Sequence, residues 1–381
     1  VWGEADINHN NDFKEYSTCH MFYHPENSEL TGTDVMAAKM VEVGCDVRYK
    51  TPMVQLIQEE SGAVTGVVAQ NESGSYLRIN AAKGVLLATG GYASNTEMLR
   101  ALNEKDYLAN VMSYTWPGGT GDGIRAAHFA GGEMDITHTA MYFERACTLP
   151  GSVGGDYSTP SLWWMGSQPF LQVNNKGERF ANESLPYDYD LHQASAQAGR
   201  VFISIFDSNW KEDVLAFHTI GCSRIISPEQ QEQYPTCGWN VDSIEAATVL
   251  PALESGHLVQ ADTIEELAQK LGLPADQLAA TVERYNELAH AGEDTDFGKE
   301  PFRLTPVDKA PFYGAKNTGY VLCTMDGIQI DTNMNAIDTE GAPIPGLYVV
   351  GNDSGCYFAN TYPNLSTGMA CGRTVTFGRY V

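Results

Sequence analysis

The fold of this chain is decided by the stretch Gly84-Val85-Leu86-Leu87-Ala88-Thr89-Gly90-Gly91-Tyr92. Its residues 85–88 are continuously apolar, which is typical of a strand buried on both faces in a parallel sheet covered by helices. We predict that the strand stops at residues 89–91, where small residues allow another group to approach the backbone. A second strand signal, at residues 344–351, also ends in a glycine. The two stretches predict an α/β fold.

The elements around these stretches divide the chain into three parts. The spacing of apolar and turn residues predicts strands at 45–50, 54–59, 63–69 and 76–79 and helices at 31–44, 124–131, 263–271, 274–291 and 367–381. Elements typical of dinucleotide binding lie at both ends, and a loop-rich stretch follows residue 146. The sequence therefore predicts one domain, residues 1–143 and 308–381, interrupted by a second domain at residues 144–307.

Composition and charge exclude several classes of protein. The 381 residues are 43% hydrophobic and 19% charged, an ordinary globular balance. The 23 basic and 48 acidic residues give a formal net charge of −25, which repels phosphate backbones and anionic lipid surfaces. No apolar run approaches the about 18 residues that a membrane-spanning helix needs. We therefore expect no nucleic-acid partner and no membrane span.

The eight cysteines are scattered, without a CxxC pair or zinc-like spacing. Buried free thiols are the favoured interpretation, and we predict no metal site. A metal or cluster assembled from distant cysteines stays open as the alternative.

The first residues show no targeting signal. Residues 1–6 contain no initiator Met and neither the basic nor the apolar region of a signal peptide. We therefore expect the chain to begin inside a longer protein. The sequence leaves both the bacterial cytoplasm and export open as its location.

Five motifs follow one another along the chain, at residues 84–92, 120–123, 171–183, 284–298 and 345–352. They resemble the stretches VILATGGF, TGDG, VNxxGxRFxNE, RYNxxxxxGxDxDFG and PGLYAAGE of the FAD-dependent fumarate reductase / 3-oxosteroid dehydrogenase family. The resemblance covers nearly the whole chain, and five collinear motifs are a far more specific signal than one. It implies an interrupted Rossmann-like FAD-binding domain with an inserted α+β substrate-cap domain.

The resemblance also implies that FAD binds without a covalent link. The segments expected to line it are rich in small residues, which allow a dinucleotide to approach the backbone. The predicted cofactor-binding residues are Ala88, Thr89, Gly90, Gly91, Gly121, Asp122, Gly351, Asn352, Asp353, Ser366, Thr367 and Gly368. The family's GxGxxG turn, which places the FAD pyrophosphate on a helix N-terminus, is missing here. Because this turn is missing, the resemblance implies that Val1 corresponds to a position about 100 residues or more inside the family's domain.

Tyr187 is the first of two predicted catalytic residues. In fumarate reductases the proton donor is an arginine four residues after the glutamate of RFxNE, and in 3-oxosteroid dehydrogenases that position is a tyrosine. Here the glutamate is Glu183 and the position is Tyr187. A phenol with a pKa of about 10 is a workable acid for an enolate-like intermediate. Without the motif, Tyr187 would be interpreted as a surface tyrosine in an acidic loop.

Tyr362 is the second predicted catalytic residue. It lies in a stretch that resembles the steroid enzymes' YPxxG, whose tyrosine hydroxyl and a following backbone amide bind the ketone. Ser366 or Gly368 would supply that amide, and a tyrosine that only packs in the core is the alternative. Fumarate reductases hold the substrate carboxylates with a histidine and a late arginine, and these positions are Cys323 and Leu365 here. We therefore do not expect fumarate as the substrate.

Three further positions are open to two interpretations. His138 is interpreted first as a structural histidine and second as a residue of the substrate pocket. Tyr142 is as good a candidate for the substrate pocket as His138. Residues 163–165, Trp-Trp-Met, are interpreted first as core and second as an apolar wall for a ring-bearing substrate.

The resemblance implies a flavin-dependent oxidoreductase acting on CH–CH groups. We expect hydride transfer between FAD and a C–C bond conjugated to a carbonyl, in a neutral, ring-bearing small-molecule substrate that is steroid-like or aromatic. The direction stays open, and an electron donor or acceptor, protein or domain, is an expected partner. One alternative is a reductase of an unsaturated acid such as cinnamate, urocanate or fumarate. The other is a non-catalytic flavin-binding subunit.

Overall fold

The computed structural model describes residues 31–115, 117–185, 187–219, 223–233, 239–359, 362–363 and 368–381. These residues form twelve α-helices: α1 (Gly32–Glu42), α2 (Thr96–Leu102), α3 (Glu104–Leu108), α4 (Asp122–Phe129), α5 (Asp188–Ser195), α6 (Trp210–Ala216), α7 (Pro228–Gln233), α8 (Val241–Ile244), α9 (Leu250–Ser255), α10 (Ile264–Leu271), α11 (Ala275–Ala291) and α12 (Met369–Tyr380). They also form fifteen strands: β1 (Met53–Gln58), β2 (Val64–Gln70), β3 (Tyr76–Asn80), β4 (Val85–Leu87), β5 (Asn110–Ser113), β6 (Ala140–Thr148), β7 (Ser161–Leu162), β8 (Leu171–Val173), β9 (Phe202–Phe206), β10 (Ile225–Ile226), β11 (Trp239–Asn240), β12 (Leu258–Ala261), β13 (Phe312–Thr324), β14 (Asn335–Ile337) and β15 (Pro343–Val349).

The apolar stretch at residues 85–88 contains β4, which pairs in parallel with β15. Leu347 lies opposite Val85 in a sheet of order β14-β15-β4. Because both strands run the same way, the residues that follow them meet at one edge of the sheet. Leu86 is 43% exposed. In the described part of the chain β4 is therefore an edge strand, and it is not covered on both faces as its sequence predicted.

A larger sheet lies beside this one. Its order is β7-β6-β13-β9-β8, and β5 and β12 also pair with β13. All nine residues of β6 are buried. The predicted boundary at residue 143 falls within β6, and β13 pairs with strands from both predicted domains. The division into domains stays a prediction.

Local sequence explains where several helices begin and end. The Thr263 side chain caps α10 by accepting from the N–H of Glu266 at 3.1 Å. Gly272 ends α10 and Gly292 ends α11, each in the left-handed conformation that favours glycine (φ +72° and +70°). The strand predicted at residues 45–50 is wrong, because these residues form an exposed, turn-containing connection.

Three clusters of buried apolar side chains pack between the strands and the helices. One joins β4, β15 and α4, and two lie between β9 and the helices from α6 to α11. Among the described residues, no helix combines the length and apolarity needed to cross a bilayer.

Candidate active site

The residues after β4 and β15 form a polar cradle, which we define as residues 88–91, 121–123 and 351–353. Thr89 donates its backbone N–H to Asp353, and its Oγ1 lies 3.0 and 2.9 Å from the two carboxylate oxygens. The N–H of Gly123 donates to the same Oγ1 at 3.1 Å. Burial raises the pKa of Asp353, and the hydrogen bonds from Thr89 oppose this rise. Thr89 thus joins three of the predicted cofactor segments.

Glycine is required at two positions of the cradle by close contacts. A Cβ on Gly91, where φ is +38°, would lie 2.3 Å from Thr324 Oγ1. A Cβ on Gly123 would lie 2.4 Å from Thr89 Oγ1. No side chain fits at either position unless its neighbours move, so the sequence can form this edge only with glycine there.

Arg373 fixes the third segment of the cradle, and sequence reasoning missed it. This buried guanidinium donates to the carbonyl of Gly351 at 2.7 Å, to Asn352 Oδ1 at 2.9 Å and to the carbonyl of Ser354 at 3.3 Å. Burial lowers the pKa of Arg373 below its ordinary value. The helix α12 is thereby tied to the turn at 351–354. Gly368 is the N-cap of this helix, whereas Ser366 and Thr367 lie outside the described residues.

The cradle fits the uncharged portion of a flavin dinucleotide. Ala88 and Thr89 are exposed and are followed by two glycines, so a ring or a ribityl chain can approach their backbone. The exposed carboxylate of Asp122 would repel a pyrophosphate at this edge. We therefore expect the pyrophosphate to bind away from the start of α4, and residues 88–91, 121–122 and 351–353 would hold the rest of the cofactor.

Both predicted catalytic tyrosines are buried in one apolar cluster. Tyr187 is 5% exposed, so it is not the surface residue that its acidic loop suggested, and Tyr362 is 6% exposed. We name this group the tyrosine cluster; its buried members are Val111, Met141, Phe143, Ala146, Tyr187, Tyr320, Met325, Phe358 and Tyr362. The fold thus brings these two distant tyrosines into a shared aromatic and methionine-rich environment.

Tyr362 lies against the start of α12. Its hydroxyl oxygen accepts from the N–H of Ala370 at 3.3 Å. Burial raises the pKa of Tyr362, and the backbone N–H groups of residues 368–370 oppose this rise. The hydroxyl is therefore protonated at neutral pH and held by the helix terminus.

Tyr187 has an unusual backbone conformation. Its φ of +55° and ψ of −121° suit glycine and are rare for a bulky side chain. The backbone N–H donates to Glu144 Oε1 at 3.3 Å, and the ring packs edge-on against Phe143 with centroids 4.8 Å apart. The guanidinium carbon of Arg145 lies 5.3 Å from the ring centroid. Strain of this kind persists only where the surroundings enforce it.

A small cavity lies beside Tyr187. Its volume is about 20 Å³, and Glu144, Ser184, Ser223 and Arg303 are among its lining residues. This is room for about one water molecule. Burial raises the pKa of Glu144, so the negative form of this carboxyl is disfavoured.

A buried charge network supports the loop that carries Tyr187. Arg179 Nε donates to Glu183 Oε1 at 2.7 Å, and its Nη2 donates to Asp294 Oδ2 at 2.7 Å. Lys299 Nζ lies 3.3 Å from Glu183 Oε2 and donates to Tyr285 Oη at 2.7 Å. Burial lowers the pKa of Lys299 to about 8. The motifs at 171–183 and 284–298 are thus joined through their charged residues.

The structure also shows the surroundings of His138, Tyr142 and residues 163–165, the positions that were open to two interpretations. His138 Nδ1 lies 2.7 Å from a carboxylate oxygen of the buried Asp326, and this hydrogen bond raises the pKa of His138. Tyr92 donates to the same carboxylate at 2.8 Å, so His138 completes a polar network whose centre, Asp326, the sequence did not reveal. Tyr142 is buried in the cluster under β4. Trp163 and Met165 pack in the core with Phe206, as their first interpretation held.

Residues 6–368 match the family described as FAD binding domain. The chain is 31% identical over 357 residues to the vinyl phenol reductase of Lactiplantibacillus plantarum, covering 91% of this chain and 69% of that protein. It is 31% identical over 356 residues to a 3-oxosteroid 1-dehydrogenase of Mycobacterium tuberculosis, covering 88% of this chain but only 59% of that protein.

A solved structure, the 3-ketosteroid delta1-dehydrogenase of Sterolibacterium denitrificans, resembles the fold with a TM-score of 0.69 at 24% identity, over 91% of this chain and 62% of that one. This likeness confirms the predicted fold class, an interrupted Rossmann-like FAD-binding domain with an inserted α+β cap. In the described residues no group of histidine, cysteine and acidic side chains is arranged to hold a metal ion.

Proposed function

The chain belongs to the FAD-binding domain family, and we propose that it transfers hydride between FAD and a C–C bond of a neutral, ring-bearing substrate. The reacting bond is conjugated to a carbonyl or to a phenol oxygen. The vinyl phenol reductase and the 3-oxosteroid 1-dehydrogenase carry the names of such ring compounds. The chain spans 69% of the length of the first protein and 59% of the second. We therefore state the activity of the whole protein as a proposal.

The observation that carries this proposal is the tyrosine cluster. Its buried members are aliphatic, aromatic or thioether side chains apart from the two hydroxyls of Tyr187 and Tyr362 and that of Tyr320. Side chains of this kind around a substrate would favour a flat apolar compound with one or two polar handles. At the position where the resemblance implies a carboxylate-binding histidine, Cys323 has a thiol, which cannot carry a positive charge. Burial raises its pKa to about 11, so the thiol is neutral.

The two tyrosines divide the chemistry between them. When bound, FAD supplies or accepts the hydride at the carbon β to the carbonyl. In the reducing direction Tyr187 gives its hydroxyl proton to the α carbon, and in the oxidising direction its phenolate removes that proton. Tyr362 donates its O–H to the carbonyl oxygen, on which negative charge accumulates, while the N–H of Ala370 holds the phenol oxygen.

The proposal is tested by stopped-flow absorbance of the flavin-loaded protein. The reduced protein is mixed anaerobically with an enone steroid, with 4-vinylphenol and with fumarate. We expect one of the neutral ring compounds to restore the oxidised flavin spectrum and fumarate to leave it unchanged. Reoxidation by fumarate or cinnamate alone would favour an unsaturated-acid reductase. No response to any organic substrate, in either direction, would favour a flavin-binding subunit.

We also propose that the flavin exchanges electrons with a protein or domain that carries positive charge. The support is the net charge of −25, which attracts a cationic partner over distance. Electron transfer from such a partner should slow steeply as salt is added, because salt screens exposed charges. A rate that is independent of ionic strength would argue against this pairing.

A further inference from the structure

We propose that Arg373 is the counter-ion of reduced FAD, so that its positive charge balances the negative charge that the flavin gains with a hydride. The inference rests on the proposed function, because it assigns a residue to the cofactor of that reaction. None of the five sequence motifs contains Arg373, and the resemblance assigns it no role.

Arg373 is a buried cation whose hydrogen-bond acceptors are all neutral. It is 3% exposed, and its guanidinium donates to the carbonyls of Gly351 and Ser354 and to Oδ1 of Asn352. Within the described part of the chain, no carboxylate forms an ion pair with it or shifts its pKa. Because a guanidinium stays protonated in proteins, a full positive charge lies against the cradle.

Two carboxylates of the same region bind other groups. Asp353 accepts from Thr89, and Asp135 accepts from the N–H of Cys356 at 2.8 Å. Neither forms an ion pair with Arg373. The charge of this guanidinium is therefore not compensated by the acids that lie near it in the fold.

One donor of the guanidinium also has no acceptor. Arg373 Nε is buried, and none of the described residues accepts from it. The guanidinium carbon lies 5.3 Å from the ring centroid of Tyr357 and 5.1 Å from that of Phe358, and both rings are uncharged. Buried charges are normally paired, and buried polar groups are normally hydrogen-bonded. An anion from outside the described residues would satisfy both requirements.

The position of Arg373 points to the flavin as this anion. Two of its hydrogen bonds reach Gly351 and Asn352, which belong to the cradle. Its helix α12 begins beside the same turn and has no acidic residue in its first turn, so the positive end of the helix dipole adds to the charge. A hydride brings two electrons and one proton, and the neutral oxidised ring becomes an anion unless a second proton follows. A positive charge that is already in place stabilises such an anion without reorganisation.

The test uses the full flavin-loaded chain and measures the midpoint potential of the flavin against reference dyes, without substrate. The potential reports the ratio of the affinities for reduced and oxidised FAD, and a tenfold change in this ratio is about 30 mV for a two-electron couple. We expect Arg373→Met to lower the ratio at least about tenfold, because a nearby opposite charge favours an ion by about tenfold to a thousandfold. Arg373→Lys keeps the charge and should lower it by less. The matched control is Arg379→Met, which removes an exposed arginine from the same helix and should leave the ratio unchanged.

A purely structural role predicts a different result. If Arg373 only ties α12 to the turn at 351–354, both variants weaken the binding of oxidised and reduced FAD alike, and the unchanged ratio contradicts the proposal. An unchanged ratio together with lost reoxidation by an unsaturated acid would assign the charge to a substrate carboxylate, which overturns this inference and the neutral substrate as well. Intact turnover in Tyr187→Phe would overturn the proposed function alone, because the potential is measured without substrate.

A second pair of variants covers the case in which Arg373→Met folds poorly. The side chain of Asn352 hydrogen-bonds both the thiol of Cys323 and the guanidinium of Arg373, so Cys323→Asp brings a carboxylate close to the positive charge. Compared with the isosteric Cys323→Asn, we expect an affinity ratio lower by at least about tenfold and a higher urea midpoint of the oxidised protein. Equal ratios in the two variants, or a lower midpoint in Cys323→Asp, would contradict an uncompensated charge on Arg373.

Discussion

Thr89 and Asp353 are 264 positions apart in the sequence, yet Thr89 Oγ1 lies 3.0 and 2.9 Å from the two carboxylate oxygens of Asp353. The contact exists because β4 and β15 are parallel neighbours and end at the same edge of the sheet. It joins the two segments that we expect to lie along the flavin.

We predict that Asp353→Ala lowers FAD affinity at least about tenfold, because the N–H and hydroxyl of Thr89 lose their acceptor and the cradle relaxes. Flavin fluorescence on titration of the apoprotein measures this. The matched control is Asp338→Ala, which removes a carboxylate that accepts from the N–H groups of Glu340 and Ala342 in an exposed turn. Equal affinity in the two variants would contradict a binding role for the cradle.

We predict that Tyr187→Phe slows turnover by at least roughly a hundredfold while flavin binding and folding stay intact, because the proton-transfer group is removed and the ring remains. Single-turnover flavin absorbance measures the chemical step. Tyr189→Phe, two residues further on and 44% exposed, is the control and should keep wild-type turnover. A loss of less than tenfold in Tyr187→Phe would mean that another group moves the proton.

The strained backbone of Tyr187 gives a prediction about stability. Its φ of +55° suits glycine, so Tyr187→Gly should be more stable than Tyr187→Ala, by on the order of 1 kcal/mol. At Tyr189, in the first turn of α5, the order should reverse, because alanine is a better helix former than glycine. Urea unfolding of the four variants tests this. The same order at both positions would show that the Tyr187 backbone is not strained.

The cradle could be predicted from sequence because its signals are local. Apolar runs that end in glycine identify β4 and β15, and parallel pairing then brings Thr89 and Asp353 to one edge. Arg373 could not be found in this way. It is a single cation in a helix, and the groups that it binds lie about twenty residues earlier.

Contacts between distant segments also could not be predicted around Tyr187 and Tyr362. The motif located Tyr187, but nothing in its sequence showed the positive φ or the neighbouring Arg145, since both depend on how α5 meets β6. Asp326 illustrates the point again, because its partners Tyr92 and His138 come from distant segments. Continuous burial of β4 was the expectation that failed, because β4 is an edge strand in the described sheet.

Lys299 gives a prediction about pH. Burial lowers its pKa from 10.5 to about 8 in the folded chain. Between these values the unfolded chain binds more protons at this position, so the free energy of unfolding should rise with pH across the window. Lys299→Met should flatten the rise, and the exposed Lys39→Met should leave it unchanged. Urea unfolding at a series of pH values measures this, and parallel curves for Lys299→Met and the wild type would contradict it.

Tyr362 gives the last prediction. Because its oxygen accepts from the N–H of Ala370, its own O–H can donate to a substrate carbonyl. Removing an oxyanion donor costs about a hundredfold to a thousandfold in kcat, since the interaction is strongest in the transition state. We therefore expect Tyr362→Phe to lower kcat by about a hundredfold with a much smaller change in KM.

The kcat of Tyr362→Phe should also show no new pH dependence near neutrality, because burial keeps the phenol protonated there in the wild type. The exposed Tyr380→Phe, on the same helix α12, is the control and should match the wild type in both constants. A rise in KM with unchanged kcat would assign Tyr362 to substrate binding alone. An intact kcat and KM would remove it from the site and leave the carbonyl to be polarised by a backbone amide.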